Sequence, residues 1–138
     1  MNKQIIITQR RIDELNQQFS ITNNENWQVL KQDLENQLFV LKCKELLKIY
    51  KKSDEIWMCF AFTNNPDKEF WEEFIDSLWE FAADFLTQNK IDGFFVGISV
   101  IFAPVSESRL TVEGKNTRIK FLKYLIKKYE QDIIKTNH

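Results

Sequence analysis

Apolar residues recur every three or four positions along most of this chain, and at every second position over a few short runs. Ile12, Leu15 and Phe19 step at near-helical spacing, which predicts a helix over about 8–19 with Thr8 as its cap. The preceding Ile5, Ile6 and Ile7 either extend that helix or form a short strand. Residues 20–26 are a polar connection in which Asn23, Asn24 and Asn26 are turn formers. Trp27, Leu30, Leu34, Leu38, Leu41, Leu46, Leu47 and Tyr50 then continue at helical spacing, predicting a helix over 27–52. Within it, 38–43 also reads as a strand, and length favours the helix.

The pattern changes after Asp54. Residues 56–63 are apolar on both faces, as in a central strand. Asn64 to Asp67 read as a turn into a helix, with Asn65 as N-cap and Pro66 at the first helical position. A helix over 66–87 follows. Residues 94–103 alternate Phe94, Val96, Ile98, Val100 and Phe102 on one face against smaller residues on the other, predicting a second strand. Pro104 ends it. Leu110 and Val112 alternate with Arg109, Thr111 and Glu113, an edge strand over 109–113 in a hairpin with the one before. Gly114 to Asn116 read as a turn, and Ile119, Leu122, Leu125, Ile126, Tyr129 and Ile133 define a final helix over 117–135. The expected fold class is therefore α+β: a two- to three-stranded sheet (near 56–63, 94–103 and 109–113) packed with about four helices in the order α-α-β-α-β-β-α. The chain reads as one domain, 1–138, without repeats or low-complexity segments.

The 66–87 helix carries the most informative pattern. At about 100° per residue, Glu69, Glu72, Glu73, Asp76, Glu80 and Asp84 fall in one arc of about 120°. Phe70, Trp71, Phe74, Ile75, Leu78, Phe81, Ala82, Phe85 and Leu86 fill the other side. Like charges four residues apart repel, so the pairs 69/73, 72/76, 76/80 and 80/84 together cost an isolated helix about 1–2 kcal/mol. An apolar face that packs well can offset this, and so can a basic surface. Trp79 and Phe70 stand at the two edges of the stripe, the arrangement of aromatic anchors within a charged rim. A solvated face, with Trp79 covered by a neighbouring element, accounts for the same spacing.

Composition narrows the chemistry. The net charge of −1 over 138 residues argues against a generic nucleic-acid binder. Charge is nonetheless sorted into blocks. Seven acids and one Lys lie in 67–84; Lys115, Arg118, Lys120, Lys123, Lys127 and Lys128 lie together without an acid. That basic block, with Phe121 and Tyr124 interleaved, is either a nucleic-acid contact, a solvated face or an internal counter-charge. Only three Gly are present, and Gly93 and Gly97 do not form a phosphate-cradling loop. His138, the one His, is terminal, so no nucleophilic triad has a base. No metal-ligand spacing links Cys43 and Cys59; both read as small buried hydrophobes in a reducing compartment. Neither a signal peptide nor an apolar span of membrane length is evident. A cytoplasmic protein is expected.

These features point away from an enzyme and from any cofactor or metal. The leading expectation is a small protein that binds and neutralises another, in the manner of an immunity protein, an antitoxin or an inhibitor. It docks a basic partner surface, for example that of a toxin nuclease, through Glu69, Phe70, Glu72, Glu73, Asp76, Trp79, Glu80 and Asp84. Neither a small-molecule substrate nor a membrane is expected as a partner, and nucleic-acid binding is expected to be weak at most; homodimerisation stays open. The alternatives are a nucleic-acid-associated regulator using the basic C-terminal helix, and a dimeric adaptor or chaperone.

Overall fold

The computed structural model describes residues 1–19, 25–55, 58–81, 84–85 and 108–136, with the side chains of 19, 25, 26, 59, 79, 108–114 and 134–136 left out of the description. Four α-helices run through the described residues: α1 (Lys3–Phe19), α2 (Glu25–Lys52), α3 (Lys68–Ser77) and α4 (Ser108–Thr136). Two short 3-10 helices, Met58–Phe62 and Leu78–Phe81, flank α3. The described residues contain no strand, so the expected α+β class is overturned in favour of helices. They group into two compact units. The first comprises Met1–Glu45 and Leu125–His138, the second Leu46–Tyr124.

In the first unit, the Ile run extends α1 instead of forming a strand. Ile5, Thr8 and Ile12 are all buried, and their spacing of three and four makes one helix face. Helix entry is fixed by Asn2, whose side-chain oxygen accepts the Gln4 backbone N–H at 2.8 Å. Asn at this place satisfies a donor that the first turn leaves without a partner. Thr8, expected as the cap, therefore sits inside the helix. In α2, residues 38–43 are helical throughout. One expected core position departs from the pattern: Leu30 is exposed, as is Val29 beside it, while Asp33, which the pattern does not include, is buried. The Trp27 indole N–H donates to the Leu15 carbonyl at 3.2 Å and ties α2 to α1.

Cys43 is fully buried and a free thiol. Burial pushes that thiol well above its ordinary value of 9.0, against a smaller opposing effect of Lys42. The sign follows directly. An unfolded chain releases this proton near the ordinary value while the folded chain keeps it, so stability is unaffected at lower pH and falls as pH rises past it. The slope is about 1.4 kcal/mol per pH unit. The stability difference between the wild type and Cys43→Ala, measured in urea, should shrink at that rate above about pH 9; an unchanged difference would place the thiol in contact with solvent.

In the second unit, the expected strand over 56–63 is replaced. Residues 56 and 57 lie outside the described residues, and Met58–Phe62 is a 3-10 helix. Met58 and Phe62 point inward and Phe60 outward, a turn-like division that a strand's alternation does not give. A short apolar run cannot distinguish a buried strand from a buried helical turn. The chain leaves this turn through Thr63, whose hydroxyl donates to the Phe60 carbonyl at 2.8 Å. Asn65 then accepts the Asp67 backbone N–H at 2.8 Å on its side chain, a local turn of the Asx kind. That bond delays the helix. The N-cap is Asp67, not Asn65, and α3 begins at Lys68.

The expected edge strand over 109–113 and the turn at Gly114–Asn116 are also overturned, since α4 is continuous from Ser108. Once the 117–133 segment has formed, each further residue adds a hydrogen bond without a new nucleus. Five alternating residues are too few to outweigh that, and one internal Gly costs only about 1 kcal/mol. With 109–113 helical there is no hairpin of 94–103 with it; the strand expected over 94–103 lies outside the described residues. Along α4, Arg118, Phe121, Leu122 and Leu125 are buried. Phe121 packs on Phe85, ring centres 5.3 Å apart, and Tyr124 lies 5.6 Å from the same ring. These two aromatics, expected as candidates for nucleic-acid contact, pack against Phe85 within their unit.

Candidate functional site

Helix α3 is built around Trp71. Its ring stacks on Phe62 at 5.4 Å, meets Phe70 edge-on at 5.0 Å and Phe74 at 6.1 Å. Trp71, Phe74, Ile75 and Leu78 are buried. This face anchors α3 on the Met58–Phe62 turn and orients the rest of the helix outward. Glu69, Glu73, Asp76, Glu80 and Asp84 are exposed, and Glu72 and Phe70 are half-buried. Phe70 therefore lends an edge of its ring to the surface while its body packs on Trp71. Trp79 lies in the Leu78–Phe81 turn; its side chain lies outside the described residues.

The 66–87 pattern is interrupted after α3: Asp84 and Phe85 are helical again, while 82, 83, 86 and 87 lie outside the described residues. α3 ends at Ser77, and the Leu78–Phe81 turn that follows is 3-10. Residues three apart eclipse in such a turn, so Glu80 stands over Ser77 and not over Asp76. The ladder of four repelling pairs is reduced to two within α3, 69/73 and 72/76, costing about 0.4–1 kcal/mol. Lys68 offsets part of this through Glu72, at 3.7 Å, with both side chains nearly half exposed. Among the described residues, Glu69, Glu73, Asp76, Glu80 and Asp84 make no salt bridge. Glu69 lies in the first turn of α3, where the helix dipole favours an anion; Asp76 lies in the last turn, which has no basic residue and where an anion is disfavoured.

The basic block on α4 is less free than its sequence suggests. The Lys115 ammonium donates to the Ser53 and Glu55 carbonyls at 2.6 and 3.2 Å and lies 4.9 Å from the Tyr50 ring centre. Arg118 is buried. Lys120, Lys123, Lys127 and Lys128 are exposed. The signal that could have separated these two from the other four is their phase: Arg118 shares a face with Leu122 and Leu125, and Lys115 stands one turn before it.

No protein-family model, no curated protein and no solved structure matches the chain. No helix among the described residues is long and apolar enough to cross a membrane.

Proposed function

We propose that this chain is a protein-binding neutraliser of the immunity, antitoxin or inhibitor kind, acting in the cytoplasm on a partner with a basic surface. The observation that carries the reading is the exposed, largely unneutralised acidic face of α3, fixed in place by the Trp71 cluster. Asp76 adds weight. It stands where the helix dipole disfavours it and without a basic neighbour in its turn, so it contributes nothing to the free protein that a neutral residue would not. Such a residue makes sense where a partner supplies the counter-charge. A nuclease carries positive potential for its substrate, and an acidic face steers to that potential and covers it. No catalytic role is assigned to the acids. The basic helix is the weaker basis for function, because two of its six cations are engaged within the fold.

The test is charge reversal at Glu73, Asp76 and Glu80 to Lys, with the partner captured from the native host on the unaltered protein. Association should slow by about ten-fold or more and lose most of its salt dependence. The free variant should meanwhile be more stable, by about 0.5–1 kcal/mol in urea, because repulsion and the dipole conflict at Asp76 are relieved. An unchanged association rate would remove the site assignment. Submicromolar binding of duplex or single-stranded nucleic acid, abolished by Ala at Lys120, Lys123 and Lys127, would replace it with the nucleic-acid reading.

A further inference from the structure

The first unit contains a cavity of about 440 Å³. Three helices build it. α1 contributes Thr8 and Arg11, three residues apart on one face; α2 contributes Gln37, Val40 and Lys44, again on one face; α4 contributes Ile133 and Glu130. Thr8 and Val40 are each 5% exposed and form its floor. Arg11 and Lys44 are exposed at its rim. The volume lies within the range of small-molecule sites, and a lining that mixes apolar surface with a few polar groups is typical of them.

We propose that this cavity binds a small amphipathic carboxylate, its tail on Val40 and Ile133 and its head on Arg11. The charges at the rim carry the choice. Lys44 forms an ion pair with Glu130 and is neutralised there. Arg11 makes no salt bridge among the described residues, which leaves one net positive charge at the mouth. A guanidinium offers a carboxylate two parallel hydrogen bonds. A phosphate dianion would bring its second charge up against Glu130 in the same lining, so a monoanion is favoured. The polar wall is also built. Asp33, buried at 7% exposure, accepts a hydrogen bond from the Gln37 amide nitrogen at 2.8 Å. One N–H of Gln37 is thus fixed to α2, and the other remains to donate. The second oxygen of Asp33 has no hydrogen-bond partner among the described residues. A buried carboxylate oxygen without a partner is costly, and here it accompanies the one bond that holds Gln37 at the cavity wall.

Calorimetric titration of the full chain with sodium octanoate is the test, with sodium acetate, 1-octanol and octyl phosphate as companion probes. Octanoate should bind at least about ten-fold more tightly than acetate, which lacks the tail, or octanol, which lacks the charge. Octyl phosphate should bind more weakly than octanoate. Arg11→Gln should weaken octanoate by about ten-fold and leave octanol unchanged, because the exposed guanidinium acts on the head alone. Ile133→Trp, which fills the mouth, should weaken both. Equal binding of octanoate and octanol, octanoate binding unaffected by Arg11→Gln, or no heat with octanoate up to millimolar concentration would each overturn the proposal. The comparison of probes on the wild type decides the matter even if a variant folds poorly. It is independent of the protein-docking reading, which the charge reversal on α3 tests in the other unit.

Discussion

Trp71→Ala is expected to lower the stability of the chain in urea by about 3–5 kcal/mol, the range for deleting a fully buried aromatic. Trp71 is 2% exposed and touches Phe62, Phe70 and Phe74. Its removal leaves three rings without their common partner and opens a cavity that the surrounding structure fills only in part. A loss of that size is a large part of the total for a domain of this length, about 5–15 kcal/mol. Trp71→Phe should recover most of it, since one ring of the cluster is kept. Phe60→Ala, in the turn beneath, should cost less than about 0.5 kcal/mol because that side chain faces solvent. Equal costs at 60 and 71 would mean that α3 is not anchored as described. The consequence for the proposed docking is direct: without Trp71 the carboxylates of α3 lose the surface that holds them in one direction, so binding of the proposed partner should fall together with stability.

The periodic stretches of the sequence identified α2 and most of α1, α3 and α4, because an apolar face that keeps helical spacing over several turns has one economical solution. At Ile5, Ile6 and Ile7, where the sequence leaves helix and strand both open, burial of Ile5 and a cap at Asn2 override the β-branched preference and select the helix. The failures have particular physical causes. Met58 to Phe62 is apolar on every side, and such a run has no period to read. Arg109 to Glu113 alternates, but it adjoins a helix that propagates into it. The sheet was inferred from these two runs and from 94–103, so overturning two of its members removes the inference and not merely a boundary.

The candidate site was legible to a different depth. Spacing alone puts Glu69, Glu72, Glu73 and Asp76 opposite Trp71, Phe74 and Ile75, and the exposure of Glu69, Glu73 and Asp76 follows from the burial of that face. Glu80 falls out of line because the helix tightens at Leu78, an event that depends on how the next turn packs and leaves no trace in the charge pattern. The engagement of Lys115 needed tertiary structure, since its partners are the carbonyls of Ser53 and Glu55 some sixty residues earlier. The cavity of the first unit was invisible for the same reason. Its lining runs from Gln4 to Ile133, and no local pattern joins residues that three helices bring together.

Gly114 offers the sharpest discrimination between the helix and the turn at the start of α4, because it has no side chain whose packing could confuse the result. Residue 114 lies six positions inside Ser108–Thr136, so its N–H belongs to the helical ladder. Gly114→Ala should therefore raise stability by about 0.8–1 kcal/mol, since Gly gives up more backbone freedom on entering a helix than any other residue. Gly114→Pro should lower it by about 2–3 kcal/mol, removing one hydrogen bond and setting the ring against the carbonyl one turn earlier. The two variants differ in sign, and the gap between them, about 3–4 kcal/mol, is readily resolved by urea denaturation. A turn at 114–116 with the left-handed backbone that favours Gly predicts otherwise: Ala there would destabilise, because its Cβ meets the carbonyl that a Gly avoids. Stabilisation by Ala together with loss by Pro is thus the signature of a continuous α4, and destabilisation by Ala would restore the turn and the short strand before it.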